Sequence, residues 1–363
     1  MTRSSRNSAP IATIFASLEG FSLERLTALA RDPARLSVSG APEGYDAYAA
    51  AEAARRRNGL VLFVAPDDQR ANAAVDAARF FAPNLRVLHF PAWDCLPFDR
   101  VSPRGDIESE RLATLAVLAA RGENAGPALV VTTVNAAIQR VPPRKFVAEA
   151  SFLARAGAYV DLDALTLFLA RNSYVRTSTV REPGEYALRG GIVDLWPPGT
   201  DEPLRLDFFG THLETIRRFD AESQRSSDSV PEIELLPASE APLDPESISR
   251  FRTGYVATFS AVTDGDPLYE AVSAGRKHAG MEHWLPLYYD GLDTLFDYIG
   301  RVPVFLGPQV GEALHARLEL VADYYATRKA LRAGEGEHKG TAVAAPYKPL
   351  KPAALYLTEK EWE

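Results

Sequence analysis

Short apolar runs alternate with helical segments over residues 10–145, and this alternation constrains the fold more than any other feature. The run GLVLFVAP (59–66) is typical of a buried strand, and the segment that follows has helical periodicity with an acidic first turn. Two further strand patterns, LRVLHFPAW and ALVVTTVNAAIQRV, flank the helical DIESERLATLAVLAARG. Because strands that alternate with helices form parallel sheets joined by right-handed crossovers, we predict an α/β domain over residues 1–144.

The pattern changes at Pro142-Pro143. A short amphipathic helix, DLDALTLFLARNSY, precedes a series of short alternating strands that runs from YALRGGIVDLWP to EIELLPASE. Glycine, proline and aspartate turns separate these strands, as in antiparallel hairpins. We therefore predict an inserted α+β domain, built on an antiparallel meander, over residues 145–238.

Residues 239–345 show a weaker, mixed pattern, with one buried strand (RVPVFLG) and one long helix (GEALHARLELVADYYATRKALRA). They predict a further small α/β subdomain, in which the segment at about 320–345 returns to complete the first domain. Residues 346–363 lose periodicity, and we expect a linker that leads into a truncated third domain.

Charge and cysteine content limit the function classes. The formal net charge of −8 disfavours a dedicated nucleic-acid binder, whose affinity comes mainly from neutralised phosphates. Cys95 is the single cysteine, and the aromatic and proline residues around it favour a packed small side chain over a nucleophile. With neither a signal-peptide pattern nor an apolar run of about 20 residues, we expect a soluble cytoplasmic protein.

The segment SGAPEGYD occupies the place where a nucleotide-binding P-loop would stand. Gly40 and Gly44 supply a loop, but Tyr45 and Asp46 replace the lysine and the hydroxyl residue that hold phosphate and Mg²⁺. No Gly-Lys dipeptide occurs in the chain. We interpret the segment as a degenerate P-loop without a cofactor. The six histidines lack metal-ligand spacing, and the residues predict no metal or catalytic site.

Two long motifs carry a family resemblance. FPAWDCLPFDRVSPRGDIESERLATLAVL (90–118) and REPGEYALRGGIVDLWPPGTDEPLRLDFFGTHLETIRRFDAESQRS (181–226) resemble the amino-terminal region of the bacterial transcription-repair coupling factors (the Mfd family), which is itself similar to UvrB. The resemblance implies a degenerate P-loop helicase-like core that serves as a scaffold. It also implies that ATP, Mg²⁺, RNA polymerase and double-stranded DNA are bound by parts of the full-length protein outside this chain.

In that family the inserted domain binds UvrA. The resemblance matches Arg189 and Arg176 to UvrA-contacting arginines, while a third arginine of UvrB falls at Ala187 here. Trp196 is expected to add an apolar anchor. Strict strand alternation places Arg189 and Trp196 on opposite faces unless Gly190-Gly191 breaks the pattern.

Three other interpretations stay open from the residues alone. The two arginines could be solvated charges that protect a sheet edge from aggregation. The chain could be a divergent ATPase or helicase that uses SGAPEGYD for nucleotide. It could also bind damaged DNA directly, as UvrB does, although WDCLPFDRVSP (93–103) is too short for the long aromatic hairpin of UvrB.

Overall fold

The computed structural model describes residues 13–17, 35–122, 125–260, 265–334 and 347–363. A four-stranded parallel sheet lies at the centre of its first part, in the order β15-β3-β5-β4. Its strands are β3 (Leu60–Ala65), β4 (Arg86–Phe90), β5 (Ala128–Thr133) and β15 (Val304–Leu306). The two inner strands are buried at every position, and the predicted α/β class is confirmed.

Helices cover both faces of this parallel sheet. The helices of the first part are α1 (Tyr45–Arg57), α2 (Asp68–Phe81), α3 (Gly105–Ala120), α4 (Val134–Ala137) and α5 (Arg144–Glu149). Alanines of α1 and α2 pack on the face that carries Val61 and Phe63. Leu62 and Val64 point into the second core, with residues of α3 and α4. Alternate strand residues thus contribute to two cores, as the two-sided burial requires.

A second, seven-stranded sheet forms most of residues 152–238. Its strand order is β13-β12-β11-β10-β9-β8, and β7 pairs with the remaining part of β12. The strands are β7 (Ala158–Tyr159), β8 (Val175–Arg176), β9 (Glu185–Arg189), β10 (Ile192–Leu195), β11 (Leu204–Phe209), β12 (His212–Phe219) and β13 (Ser226–Ser229). The strands from β9 to β13 form the predicted antiparallel meander, but β8 joins β9 in parallel.

Helix α6 (Leu162–Arg171) covers one face of the seven-stranded sheet, and Leu165 and Leu169 are buried in the core between them. Asp161 caps this helix by accepting hydrogen bonds from two amides of its first turn. The strands β6 (Phe152–Arg155) and β14 (Glu232–Leu235) form a separate antiparallel pair beside the sheet.

The remaining described residues are mainly helical and share the core of the parallel sheet. Their elements are α7 (Pro245–Phe259), α8 (Pro267–Ser273), a 3₁₀ helix (Met281–Leu287), α9 (Leu295–Ile299), α10 (Val310–Gly334), α11 (Pro352–Leu355) and α12 (Glu359–Trp362). The chain returns to the parallel sheet at β15. Part of the segment at about 320–345 that we expected to complete the first domain, residues 335–345, lies outside the described residues.

Residues 347–363 do not form the linker that we expected. Leu355 and Tyr356 are buried in the main core, and the Lys348 ammonium lies 2.8 Å from the Asp266 carboxylate in a buried ion pair. The buried residues form two short consecutive runs, 347–350 and 355–357, on either side of the start of the one-turn helix α11. The segment therefore shows no helical or strand periodicity, although it is packed.

The seven-stranded sheet contacts the first part through α3. A Cβ built on Gly199 would lie 2.8 Å from the Ala113 Cβ, so the turn after β10 touches the helix directly. The Gly199 amide donates to the Ser109 hydroxyl at 3.2 Å. In the described part of the chain, no helix combines the length and apolarity needed to cross a bilayer.

Candidate partner-binding face

The face of the seven-stranded sheet turned away from α6 carries most of its charged side chains, and we call it the outer face. Tyr186, Val193 and Leu206 point the other way, into the core beneath α6. The outer face holds Arg189, Asp194, Arg205, Asp207 and Arg217, which follow from the strand register and from the alternation of side chains.

Arg189 and Trp196 lie on this same face. Arg189 is opposite Ile192, across the two-residue Gly190-Gly191 turn. Residues opposite each other in an antiparallel pair point to the same side, so an odd separation across a hairpin places both side chains together. The Gly190-Gly191 turn reverses the chain, and this reversal allows Arg189 and Trp196 to share a face. The two residues lie at opposite ends of the hairpin, about 13 Å apart along the strands.

Two carboxylates of the outer face are already bonded to arginines. Arg205 donates to both carboxylate oxygens of buried Asp194, at 2.7 and 2.9 Å. Arg217 and the Thr215 hydroxyl both donate to Asp207. The Arg205–Asp194 pair is a charge-assisted fork, which is strong and fixes side-chain geometry, whereas Arg217 bonds Asp207 through one nitrogen. Sequence reasoning missed these pairs, although Asp194 within the apolar run IVDLW was a signal.

Arg189 is the exposed arginine that this network leaves available. Its side chain is 47% exposed, and Nη1 lies 4.0 Å from the nearest Asp194 oxygen. Nη2 donates to the Ser178 carbonyl at 2.7 Å, which holds the guanidinium in place. Because about half of the side chain is exposed, part of the guanidinium remains accessible to solvent. The arrangement gives a fixed guanidinium that can bind a carboxylate of another molecule.

Arg176 lies on the opposite face from Arg189. It stands beside Tyr186 in the parallel β8–β9 pair, and Tyr186 belongs to the core beneath α6. Arg176 is exposed because β8 is the edge strand. Within the described ranges it has no hydrogen bond or ion pair. The two predicted arginines therefore share an edge of the sheet but not a face.

The Trp196 ring is partly buried. It packs against Val180, Ala187 and Phe219, and its Nε1 donates to the Thr200 carbonyl at 3.0 Å. Ala187, where the resemblance places a third arginine in UvrB, is itself buried in this cluster. A long charged side chain would not fit at that position.

The predicted degenerate P-loop forms the turn between β2 (Arg35–Ser39) and α1. Gly40 and Gly44 adopt left-handed conformations, with φ of 73° and 81°. The Asp46 carboxylate accepts the Ala47 amide at 2.9 Å and pairs with Arg70 at 3.2 Å. A helix N-terminus favours anions, but here a carboxylate already occupies the first turn.

Strand β2 pairs with β1 (Thr13–Ser17) in parallel, as a two-stranded sheet separate from the central one. The resemblance implied a degenerate P-loop helicase-like core. The described strands show the α/β class, and the helicase-like arrangement stays a prediction.

Cys95 has a neighbour that spacing could not reveal. Its Sγ lies 3.8 Å from Nε2 of His283, a residue 188 positions away. Burial raises the pKa of the Cys95 thiol to about 12 and lowers the pKa of His283 to about 4. Since the thiolate is the nucleophilic form, this pair is not an activated cysteine, in agreement with the packed side chain that we predicted.

Comparison with known proteins identifies the family that this chain resembles. Residues 153–240 match the UvrB interaction domain. The chain is 38% identical to the transcription-repair-coupling factor of Escherichia coli (strain K12) over 249 residues, which cover 68% of this chain and 21% of that relative. Its identity to the Haemophilus influenzae factor is 34% over 266 residues, covering 72% of this chain and 23% of the relative.

A third relative, the transcription-repair-coupling factor of Myxococcus xanthus, is 34% identical over 256 residues, covering 66% of this chain and 21% of its own length. The chain therefore spans about a fifth of the length of these relatives. The matched segment includes the sheet that carries Arg189. Because these relatives match most of the chain and the UvrB interaction domain lies within it, the chain belongs to the transcription-repair-coupling factor family.

Proposed function

We propose that this chain is an adaptor module that recruits UvrA to sites where RNA polymerase has stalled, in transcription-coupled nucleotide excision repair. The family membership and the UvrB interaction domain support a role in transcription-repair coupling. UvrA is the partner that the name of this domain suggests.

The available guanidinium of Arg189 is the observation that carries the proposal. It lies within the matched domain, on the β9–β10 hairpin, beside carboxylates that other arginines have already bonded. Arginines are enriched among the residues that dominate binding energy, because their fork can hold a carboxylate through two hydrogen bonds. An acidic group on UvrA is therefore the expected counterpart of Arg189.

Arg176 and Trp196 are proposed as secondary contacts. A partner that reaches around the β8 edge could meet Arg176 while it binds the outer face. Trp196 would contribute through its support of Ala187 and Phe219 beneath the charged network. We expect smaller losses of affinity from alanine at these two positions than at Arg189.

In the full-length protein we propose an ATP-dependent DNA translocase that displaces RNA polymerase in the cytoplasm. ATP, Mg²⁺, double-stranded DNA and RNA polymerase would bind outside the residues of this chain. In this proposal the parallel sheet is a scaffold, because Asp46 stands where a P-loop holds phosphate. The chain itself is then expected to hydrolyse no ATP.

The test is the affinity of purified UvrA for the chain and for two variants, at two salt concentrations. Arg189→Ala is expected to weaken binding about tenfold or more, because truncating a central interface arginine costs about 2 kcal/mol or more. Arg218→Ala is the matched control, since its side chain is 46% exposed against 47% for Arg189. Equal affinities for the two variants would remove Arg189 from the contact, and no binding by the unmodified chain would end the proposal.

A further inference from the structure

Two aromatic side chains of the seven-stranded sheet are largely exposed to solvent. Phe209 is 78% exposed and Tyr159 is 72% exposed. Both lie opposite His212, one on each side of it, in β11 and β7. Since directly opposed residues share a face, both rings are on the outer face of the sheet.

The same end of the sheet carries the turn beside Arg189. The Phe208 amide donates to the Gly191 carbonyl at 2.7 Å, so the β9–β10 and β11–β12 turns lie side by side. Gly190 stands next to Phe209 in this arrangement, and no atom lies within 4 Å of a Cβ built on it. The surface between Arg189 and Phe209 is therefore open.

This end also points away from the rest of the molecule. The opposite end of the sheet contacts α3, through Gly199 and through Pro183, whose carbonyl lies 3.0 Å from a Cβ built on Gly105. The row from Arg189 through Phe209 to Tyr159 crosses four strand spacings, or about 20 Å, and it steps two residues along β11 because Arg189 is level with Ile192 and Asp207. A row of that width fits within one face of a standard protein interface.

Isolated exposed apolar residues are common on protein surfaces and need no explanation. A fixed arginine on the same face and at the same end of the sheet as two exposed aromatic rings is different, because arginine and aromatic residues are the types enriched at interface hot spots. The strands hold Phe209 and Tyr159 in place, so docking would order little additional backbone.

We propose that Phe209 and Tyr159 are apolar anchors for the same partner that Arg189 binds, so the contact extends along the turn end of the sheet. This inference rests on the proposed function, and it identifies the surface of this sheet that the partner would contact. UvrA would present a carboxylate to Arg189 and, about 10 to 20 Å from it, apolar recesses for the two rings.

The experiment measures UvrA affinity for Phe209→Ala, Tyr159→Ala and Phe80→Ala, beside the unmodified chain and Arg189→Ala. Phe80 is the matched control, because it is 79% exposed but lies on α2, away from this sheet. Each anchor variant is expected to lose at least about fivefold in affinity, and Phe80→Ala to lose none. Because all three rings are exposed, thermal unfolding should leave the variants equal in stability to the parent chain.

The salt concentration distinguishes the ionic contact of Arg189 from the apolar contacts of Phe209 and Tyr159. The loss caused by Arg189→Ala should shrink at high salt, whereas the losses at Phe209 and Tyr159 should persist, because ionic screening does not weaken apolar burial. If Arg189→Ala weakens binding while both anchor variants bind like the parent chain, the extended contact is wrong and the proposed function stands. If the parent chain itself fails to bind UvrA, both fail.

Discussion

Arg111 and Glu240 form a fully buried ion pair in which one guanidinium bonds both carboxylate oxygens. Arg111 also donates to the Pro91 carbonyl at 2.8 Å and lies over the Phe90 ring, 4.3 Å from its centroid. The pair joins α3 to the segment where the chain leaves the seven-stranded sheet. It therefore links the partner-binding sheet to its scaffold.

Breaking this pair should destabilise the protein strongly. Arg111→Ala would leave the Glu240 carboxylate buried without a counter-charge, and removing one member of a buried pair costs about 3–5 kcal/mol. Urea unfolding would measure this as a lower free energy of unfolding. The control is Arg155→Ala, whose pair with Glu232 is exposed on both sides and is worth at most about 1 kcal/mol. Similar losses for both variants would contradict the linking role of Arg111.

Stability should also depend on pH through Glu108. Burial, with added repulsion from Glu282, raises the pKa of Glu108 from 4.5 to about 8. Between these values the folded state binds more protons than the unfolded state, so the contribution of Glu108 to the free energy of unfolding falls as pH rises and levels off above about 8.

Glu108→Gln removes this pH dependence. The glutamine keeps an oxygen that can accept a hydrogen bond from the Ser239 hydroxyl, which lies 2.8 Å from the Glu108 carboxylate. Urea unfolding at several pH values from 5 to 8 should show the variant gaining stability relative to the parent chain as pH rises. The difference between the two proteins isolates Glu108 from His283, whose lowered pKa acts in the opposite direction. A constant difference across this range would contradict the raised pKa.

Gly199 should be intolerant of alanine because of its contact with α3. Its φ of 80° already disfavours a side chain, by about 1–2 kcal/mol, and the new methyl would lie 2.8 Å from the Ala113 Cβ. Overpacking of this kind adds about 1–3 kcal/mol. Gly210→Ala is the control, since its φ is 62° and no atom lies within 4 Å of its added Cβ. Equal free energies of unfolding for the two variants would show that the α3 contact is not tight.

Cys95 should react slowly with thiol reagents in the folded protein. With a pKa of about 12, about one thiol in ten thousand is ionised at pH 8. Labelling followed by absorbance should be slow under native conditions and fast in urea. Cys95→Ser provides the blank, since the chain has no other cysteine. Rapid native labelling would mean that His283 activates the thiol after all.

Local pattern predicted much of the architecture. The runs at β3 and β5 are apolar at successive positions because both faces of a central parallel strand are covered, and that signal requires no distant partner. The hairpin at Gly190-Gly191 was not predicted, because the pattern in YALRGGIVDLWP indicates one strand, although a two-glycine turn permits tight reversal. The available arginine at its end followed from the family resemblance rather than from the pattern.

The contacts that local pattern could not predict join residues far apart in sequence. Asp194 and Arg205, Cys95 and His283, and Lys348 and Asp266 become neighbours only when separate elements pack together. The faces of Arg176 and Arg189 likewise depend on the parallel pairing of β8, which has no signature in a two-residue strand. The exposure of Phe209 could not be predicted from the sequence, because Phe209 directly follows the partly buried Phe208 in the same strand.

The late return of the chain at β15 sets an order for synthesis on the ribosome. All strands of the seven-stranded sheet have left the ribosome soon after residue 229, whereas the parallel sheet waits for Val304–Leu306 and its core waits for Leu357. The nascent host domain therefore exposes an apolar sheet edge while its insert is already complete. Such long-range closure is slow and prone to aggregation, so we expect the nascent host domain to aggregate more readily than its insert.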